Sequence, residues 1–307
     1  MKYAVFGAGG TGGCLGAYLE KAGFDVTLIA RGKHLEAIRE NGLTVRSKRT
    51  GDFNIKIKTA AAGEYADRPD VIFVCVKYYS LEDAAGFINR VSDRNTLVVP
   101  ILNIFGTGEI LQEKCPAATV LDGCIYIMGM IGEPGVILQP AEIFRVFLGF
   151  RKGQEQSLKT EVLQTVSDLK NAGIDAFYSE EILREELKKF SFVSPMGAAC
   201  LFLDARGKDF KTPGKAQDLF FDLVREIVRL GKAMGISYEE DLVEVNRKIM
   251  EGLSDSSTTS MQRDVMDGKN SEIDGIVYRV VRLAKANGIS LPCYEKISAW
   301  AEEKRLR

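Results

Sequence analysis

Histidine is almost missing: His34 is the only one in 307 residues, and it follows Lys33 with no companion. A Ser-His-Asp triad or a histidine-bearing zinc site therefore has nothing to be built from, and His34 reads as a lone surface side chain. Cysteine is scattered. The six (Cys14, Cys75, Cys115, Cys124, Cys200 and Cys293) form no C-x-x-C pair and show no metal-ligand spacing. Several lie in apolar runs, as Cys75 does within 71–76, and read as small buried hydrophobes of a reducing compartment. Neither charge is in excess. With 41 basic and 42 acidic residues the net charge is −1, which gives no field to attract nucleic acid or an anionic membrane. No apolar run approaches the roughly 20 residues needed to span a bilayer. The opening is one lysine and a short strand pattern, not a secretory leader. The expectation is a cytoplasmic protein with no metal, nucleic-acid or membrane partner.

What is present is an ordinary globular composition, 46% hydrophobic and 27% charged. The length suits two domains. Up to about residue 178, short β-rich runs alternate with helical patterns. Tyr3 to Phe6, Val26 to Ile29, Val71 to Val76, Thr96 to Pro100, Thr119 to Tyr126, Ile143 to Phe150 and Asp175 to Tyr178 read as strands. Gly12 to Ala22 and Gln156 to Ala172 read as helices. The unbroken apolar run at 71–76 suits a strand buried on both faces of a parallel sheet, and the alternation predicts a doubly wound sheet. Beyond about residue 180 the texture turns helical. Leu219, Leu223, Ile227, Leu230 and Met234 mark one helical face; Ile273, Ile276, Val277, Val280, Val281 and Ala284 mark another, stopped by Asn287-Gly288. The reading is an α/β protein: a Rossmann-type domain over 1–179 and an all-α domain over 180–307.

Tyr3-Ala-Val-Phe runs straight into Gly7-Ala8-Gly9-Gly10-Thr11-Gly12, a G-x-G-x-x-G at the junction of strand and helix. Gly7 suits the tight turn, Gly9 lets the backbone approach a pyrophosphate, and Gly12 allows close helix–strand packing. The helix N-terminus adds free N–H groups and partial positive charge. At the end of the second strand, where NAD sites carry an acid for the ribose 2′-hydroxyl, the chain has Ala30-Arg31-Gly32-Lys33. Arg31 offers a planar fork for a 2′-phosphate and Lys33 adds charge, which points to NADP.

With these residues in view, the chain resembles the ketopantoate reductase (2-dehydropantoate 2-reductase) family over nearly its whole length. The glycine turn and Ala30-Arg31-Gly32 are similar to that family's start, and Val76-Lys77 resembles its V-K pair. Asn103 in Pro100-Ile-Leu-Asn103-Ile-Phe-Gly106 resembles the Asn of its N-G-x-G turn. Leu187-Lys188-Lys189-Phe190 resembles its W-x-K-L helix. Ser260-Met-Gln-Arg-Asp264 followed by Ser271-Glu272-Ile273-Asp274 is similar to its S-M-x-x-D…T-E-I-D stretch.

The resemblance implies reduction of a 2-oxo acid by NADPH, most simply ketopantoate to pantoate in pantothenate biosynthesis, at a site between the two domains. It implies Lys189 as proton donor, Glu272 as the group that binds the substrate hydroxyl and Ser260 as the partner of the substrate carboxylate. Asn103 and Lys77 would lie beside nicotinamide and substrate. The chemistry asks for such groups in any case: hydride addition leaves negative charge on the ketone oxygen, so a cation or proton donor must stand about 3 Å away. With no histidine available, a lysine whose pKa burial lowers is the natural donor. The same residues also have plainer readings: Lys188-Lys189 as a solvated pair, Ser260 as a loop residue or N-cap, and Glu272 as a first-turn acid beside a Ser271/Asp274 capping box.

Departures bear on the substrate. The family's helix continues K-x-x-x-N-x-x-x-N, whereas this chain has Lys189, Val193 and Gly197 on that face; Ile104 replaces a glycine and Leu187 a tryptophan. A different 2-oxo acid with a bulkier apolar side chain, or a non-catalytic NADP(H)-binding regulator, stand as alternatives to ketopantoate reduction. The partner is then a small-molecule 2-oxo acid, and a homodimer is compatible with this organisation.

Overall fold

The computed structural model describes residues 1–306. The chain begins with β1 (Lys2–Phe6), α1 (Gly10–Lys21), β2 (Asp25–Ile29), α2 (Gly32–Asn41), β3 (Leu43–Ser47), β4 (Phe53–Ile55) and β5 (Lys58–Ala60). Next come β6 (Val71–Val74), α3 (Leu81–Val91), β7 (Leu97–Pro100), α4 (Thr107–Lys114) and β8 (Thr119–Val120). Then follow β9 (Asp122–Ile127), β10 (Met130–Glu133), β11 (Val136–Gln139), β12 (Phe144–Gly149), α5 (Lys159–Asn171) and β13 (Asp175–Tyr178). The remainder is helical: α6 (Ile182–Leu203), α7 (Gly207–Phe210), α8 (Lys215–Ala233), α9 (Leu242–Glu251), α10 (Ser260–Met266), α11 (Arg279–Ala286) and α12 (Pro292–Glu303). Two compact units divide at Glu185/Glu186, within the second turn of α6, a few residues beyond the compositional boundary.

The first unit is built on a six-stranded parallel sheet in the order β5-β2-β1-β6-β7-β8. The order grows outward from β1, first through β2 to β5 and then the other way through β6, so it reverses between β1 and β6. Apolar residues in unbroken succession make this possible. In β6, Val71 and Phe73 join the cluster that holds Leu15 and Leu19 of α1, while Ile72 and Val74 join the cluster that holds Phe87 and Ile88 of α3. Each such side chain contributes about 1.5–3 kcal/mol by leaving water, so both faces must be covered.

Two smaller sheets complete the unit, one of order β10-β11-β3-β4 and one of order β13-β12-β9. They revise the single alternating sheet expected from sequence. The run Thr119 to Tyr126 is two strands, broken at Leu121: β8 pairs with β7 and β9 with β12. The break follows from Asp122, fully buried, whose carboxylate accepts from Gly108 N–H at 2.9 Å and pairs with Arg151. Gly123 then lets the backbone pass close over β7, where a Cβ would lie 3.1 Å from Val99. Likewise the apolar run 71–76 is strand only to Val74, and 75–76 form the loop that leads to Lys77.

Helix α1 begins at Gly10, two residues before the expected start, and is buried over Gly12–Leu19. Its glycines explain how it is covered on opposite sides. A Cβ on Gly12 would meet the Gly7 carbonyl oxygen at 2.0 Å, and one on Gly16 would meet Leu28 of β2 at 2.4 Å. A Cβ on Gly13 would meet Ile137 of β11 at 2.9 Å, on the side of the four-stranded sheet. Gly9, by contrast, has no atom within 4 Å of such a position, and its φ of −70° suits any residue.

These distances predict opposite outcomes for two alanine substitutions. Gly12→Ala should destabilise by about 1–3 kcal/mol, as overpacking against backbone does, lowering Tm by several degrees. Gly9→Ala should leave the Tm of the ligand-free protein unchanged. Scanning calorimetry checks both; equal shifts would contradict the packing described.

Candidate active site

The register of the parallel sheet lines up four strand ends. Ile29 lies opposite Phe6, Phe6 opposite Val74, and Val74 opposite Pro100. One more residue is tied at three of these ends: Gly7 N–H donates to Ile29 O at 3.1 Å, Cys75 N–H to Phe6 O at 2.8 Å and Ile101 N–H to Val74 O at 3.1 Å. Beyond this row the chain leaves the sheet, and the next residues are Gly7–Gly12, Ala30-Arg31, Val76-Lys77 and Leu102-Asn103. The sequence-predicted residues of this unit thus gather at one carboxyl edge, centred on the reversal of strand order between β1 and β6.

Close approach shapes the glycine turn. Gly7 has φ +102°, and a Cβ there would meet Cys75 O at 2.7 Å. Ala8 is buried and Thr11 half-buried. A Cβ on Gly10 would lie 2.2 Å from the backbone of Gly129, in the connection between β9 and β10. Gly129 was not singled out by sequence; the excess of glycine early in α1 was its only signal. The first turn of α1 carries no acidic residue, so its N–H groups keep their attraction for an anion.

Arg31 is exposed and stands at the N-cap of α2, in extended conformation with φ −147°. Lys77 is half-buried, at the entry to a single tight turn over Tyr78–Ser80. Asn103 is exposed in the loop that reaches α4 through Gly106, at φ +70°.

His34 departs from its expected place on the open surface. It is half-buried, and its Nδ1 accepts from Gly135 N–H at 3.0 Å. Burial pushes the imidazole below its usual pKa, and the backbone of Ala8 opposes this in part. The side chain therefore joins α2 to the β10–β11 turn.

In the second unit, α6 sets the frame. Leu187 and Phe190 are buried, Lys189 is half-buried between them, and Lys188 pairs with Glu240 at 2.5 Å. Neither lysine is fully solvated: both are half-buried. Pro195 lies inside the helix and has no N–H for the Ser191 carbonyl four residues earlier. Asn246 of α9, fully buried, donates Nδ2 to that carbonyl at 3.2 Å and to Ser191 Oγ at 2.9 Å. A proline in a helical pattern creates the need for such a donor, though not its identity.

Ser260 is half-buried and is the first residue of α10; the cap before it is Thr259, whose hydroxyl accepts from Gln262 N–H at 3.2 Å. Gln262 Nε2 reaches the carbonyl oxygens of Cys200 and Ala205, each at 3.2 Å, which fastens α10 to the end of α6. Glu272 is 3% exposed. Both oxygens of Asp274 accept from Arg282, at 2.7 and 3.0 Å, and Ser271 Oγ accepts from Ile273 N–H at 3.3 Å.

A Cβ on Gly197 would lie 3.3 Å from Ile276 and 3.4 Å from Met261, so the position is an interior packing contact. Val193, one turn after Lys189, is half-buried. Among the described residues, no group of three or more His, Cys, Asp or Glu side chains is arranged to hold a metal ion, and no helix is long and apolar enough to cross a membrane.

The His34 contact predicts a pH dependence. Its pKa is depressed on folding, so the stabilisation is complete above the ordinary imidazole value of about 6.5 and is lost as pH falls below it. His34→Gln should lower Tm at about pH 7.5, and the gap to wild type should narrow toward about pH 5. A gap constant across that range would contradict the buried, neutral imidazole.

Comparison with known proteins agrees with this architecture. The model of the family described as ketopantoate reductase PanE/ApbA matches residues 3–152, and that of its C-terminal part matches residues 181–305. A 2-dehydropantoate 2-reductase of Pyrococcus horikoshii is 28% identical over 297 residues, 95% of this chain and 93% of that protein. The crystal structure of 2-dehydropantoate 2-reductase from Methylococcus capsulatus superimposes with a TM-score of 0.86 at 23% identity, covering 99% of this chain and 97% of that one. A D-mandelate dehydrogenase solved with NADH and anilino(oxo)acetate gives 0.87 at 21% identity, covering 99% and 98%. The chain belongs to the ketopantoate reductase (PanE/ApbA) family of oxidoreductases.

Proposed function

We propose that this protein reduces a 2-oxo acid with NADPH, and that ketopantoate is the first substrate to try. The observation that carries the reading is the level carboxyl edge of the parallel sheet, with the glycine turn, Arg31, Lys77 and Asn103 side by side where strand order reverses. In open α/β sheets such a crevice is where ligands bind. The residues present fit a dinucleotide: the unfilled space over Gly9, the α1 N-terminus without acids, and Arg31 where an NAD site would carry a carboxylate. The amides of the 7–12 turn would hold the pyrophosphate and Arg31 the 2′-phosphate. Relatives named 2-dehydropantoate 2-reductase support the reaction class.

When bound, the nicotinamide supplies a hydride to the carbonyl carbon. Lys189, as its ammonium, gives a proton to the carbonyl oxygen as charge builds there, and regains one from solvent. Glu272 accepts a hydrogen bond from the substrate hydroxyl, and Ser260 donates one to the carboxylate. Lys77 and Asn103 orient the reacting groups at the sheet edge. These five roles follow from the resemblance, residue by residue.

A second reading, reduction of a 2-oxo acid with a larger apolar side chain, is favoured by Val193. Its half-buried valine stands one helical turn from Lys189 and cannot hydrogen-bond a polar substrate. Gly197 is excluded from this argument because Ile276 and Met261 already fill its surroundings.

NADPH oxidation, followed by absorbance, across ketopantoate and branched and aromatic 2-oxo acids tests the proposal. Wild type should reduce at least one of them. Lys189→Ala should lower kcat by roughly 10²–10⁴-fold with NADPH affinity unchanged. Val193→Asn should shift preference toward ketopantoate. NADPH binding without oxidation of cofactor by any acid would favour a non-catalytic regulator, and undiminished turnover by Lys189→Ala would remove it from the mechanism.

A further inference from the structure

Two uncharged side chains outside that chemistry are wholly buried, Ser194 on α6 and Tyr294 at the start of α12. Ser194 Oγ donates to the Ile276 carbonyl at 2.7 Å and lies 2.6 Å from Tyr294 Oη. With the Ser194 proton engaged by the carbonyl, the phenol must donate to Ser194 Oγ. Tyr294 is itself fixed: its N–H and that of Cys293 donate to the buried Glu226 carboxylate at 3.0 and 2.9 Å.

The carbonyl they grip is in an unusual place. Ile276 is one turn after Glu272, and its N–H donates to Glu272 O at 2.9 Å. Over Asp274–Tyr278 the chain widens into a π-helical turn, in which Arg279 N–H reaches back to Asp274 O. Such turns are poorer than α-helix and persist where neighbours hold them. The Asp274–Arg282 pair is half-exposed on both sides and contributes little. Ser194 and the close packing of Gly197 on Ile276 grip the turn from α6. Relaxing a π turn to α-helix removes one residue from the spiral and rotates what precedes it by about 100°. Glu272 is what precedes it.

We propose that Ser194 and Tyr294 are positioning residues that aim the Glu272 carboxylate by holding the Ile276 carbonyl of the π turn, an inference that rests on Glu272 binding substrate. α6 then carries Lys189 and, five residues on, the hydroxyl that sets the direction of its partner acid.

The test compares Ser194→Ala, Tyr294→Phe, Glu272→Gln and Ser194→Ala with Glu272→Gln, using NADPH and the acid of the panel that wild type reduces fastest. Ser194→Ala should raise KM roughly tenfold, as loss of one buried hydrogen bond does, with NADPH affinity unchanged. Amide hydrogen exchange should quicken over 272–280. Tyr294→Phe keeps the ring and the Ser194 bond to the carbonyl, and should show the same effects more weakly. In the Glu272→Gln background, Ser194→Ala should add less than about twofold, because the group it aims is altered. A merely structural role would multiply in full there. That result, or unchanged KM in both folded single variants, overturns the proposal while leaving Glu272 in place. Wild-type KM in Glu272→Gln would instead overturn the substrate role of Glu272, and this proposal with it.

Discussion

The contact between the Gly7 carbonyl and Gly12 is the constraint on which the first unit depends. A Cβ at Gly12 would be only 2.0 Å from that oxygen, so the chain turns out of β1 and into α1 with no room for a side chain. Because the turn is that tight, the N-terminus of α1 opens directly over the end of β1. Parallel pairing then sets Ile29, Phe6, Val74 and Pro100 level, and Arg31, Lys77 and Asn103 follow at neighbouring exits. A looser turn would lift the helix from the sheet, unpack Gly16 from Leu28, and separate the free N–H groups from the strand ends they serve.

The second unit replaces that backbone contact with a buried helix. α6 is fastened along its length at points that a regular helix would not offer. Asn246 takes the carbonyl that Pro195 leaves without a helical donor, Gly197 admits Ile276 and Met261, and Gln262 ties α10 to the helix end. Together they bring α9, α10 and the turn that follows Glu272 to α6, and Ser260 is the first residue of α10. A polar atom buried without a partner costs about 1–3 kcal/mol, a cost that Asn246 removes from the Ser191 carbonyl.

Much of this was legible in the sequence because two strong periodicities carry it. The apolar succession of 71–76 demanded a sheet covered on both faces, and the steps of three and four in 217–234 demanded a helix packed on one side. The glycine turn was readable because each glycine answers a separate steric need. Four features were not. The four-stranded sheet is made of short strands such as Phe53–Ile55 and Met130–Glu133, whose patterns are too brief to stand out. The break at Leu121 depends on Asp122 finding Arg151, a long-range pairing. The widened turn at 274–278 keeps the same apolar spacing as an α-helix, so periodicity is blind to it. His34 carried no local signal of burial, since Gly135 reaches it from a hundred residues away.

The NADPH site proposed at the carboxyl edge of the parallel sheet is tested by the affinity of the purified protein for NADPH and for NADH, measured by titration calorimetry for wild type and Arg31→Ala. A charge-assisted contact to a phosphate is worth a few kcal/mol. Wild type should bind NADPH at least about tenfold more tightly than NADH, and Arg31→Ala should lose most of that preference by weakening NADPH alone. Equal affinity of wild type for the two cofactors, or a preference that survives in Arg31→Ala, would contradict a 2′-phosphate site at Arg31.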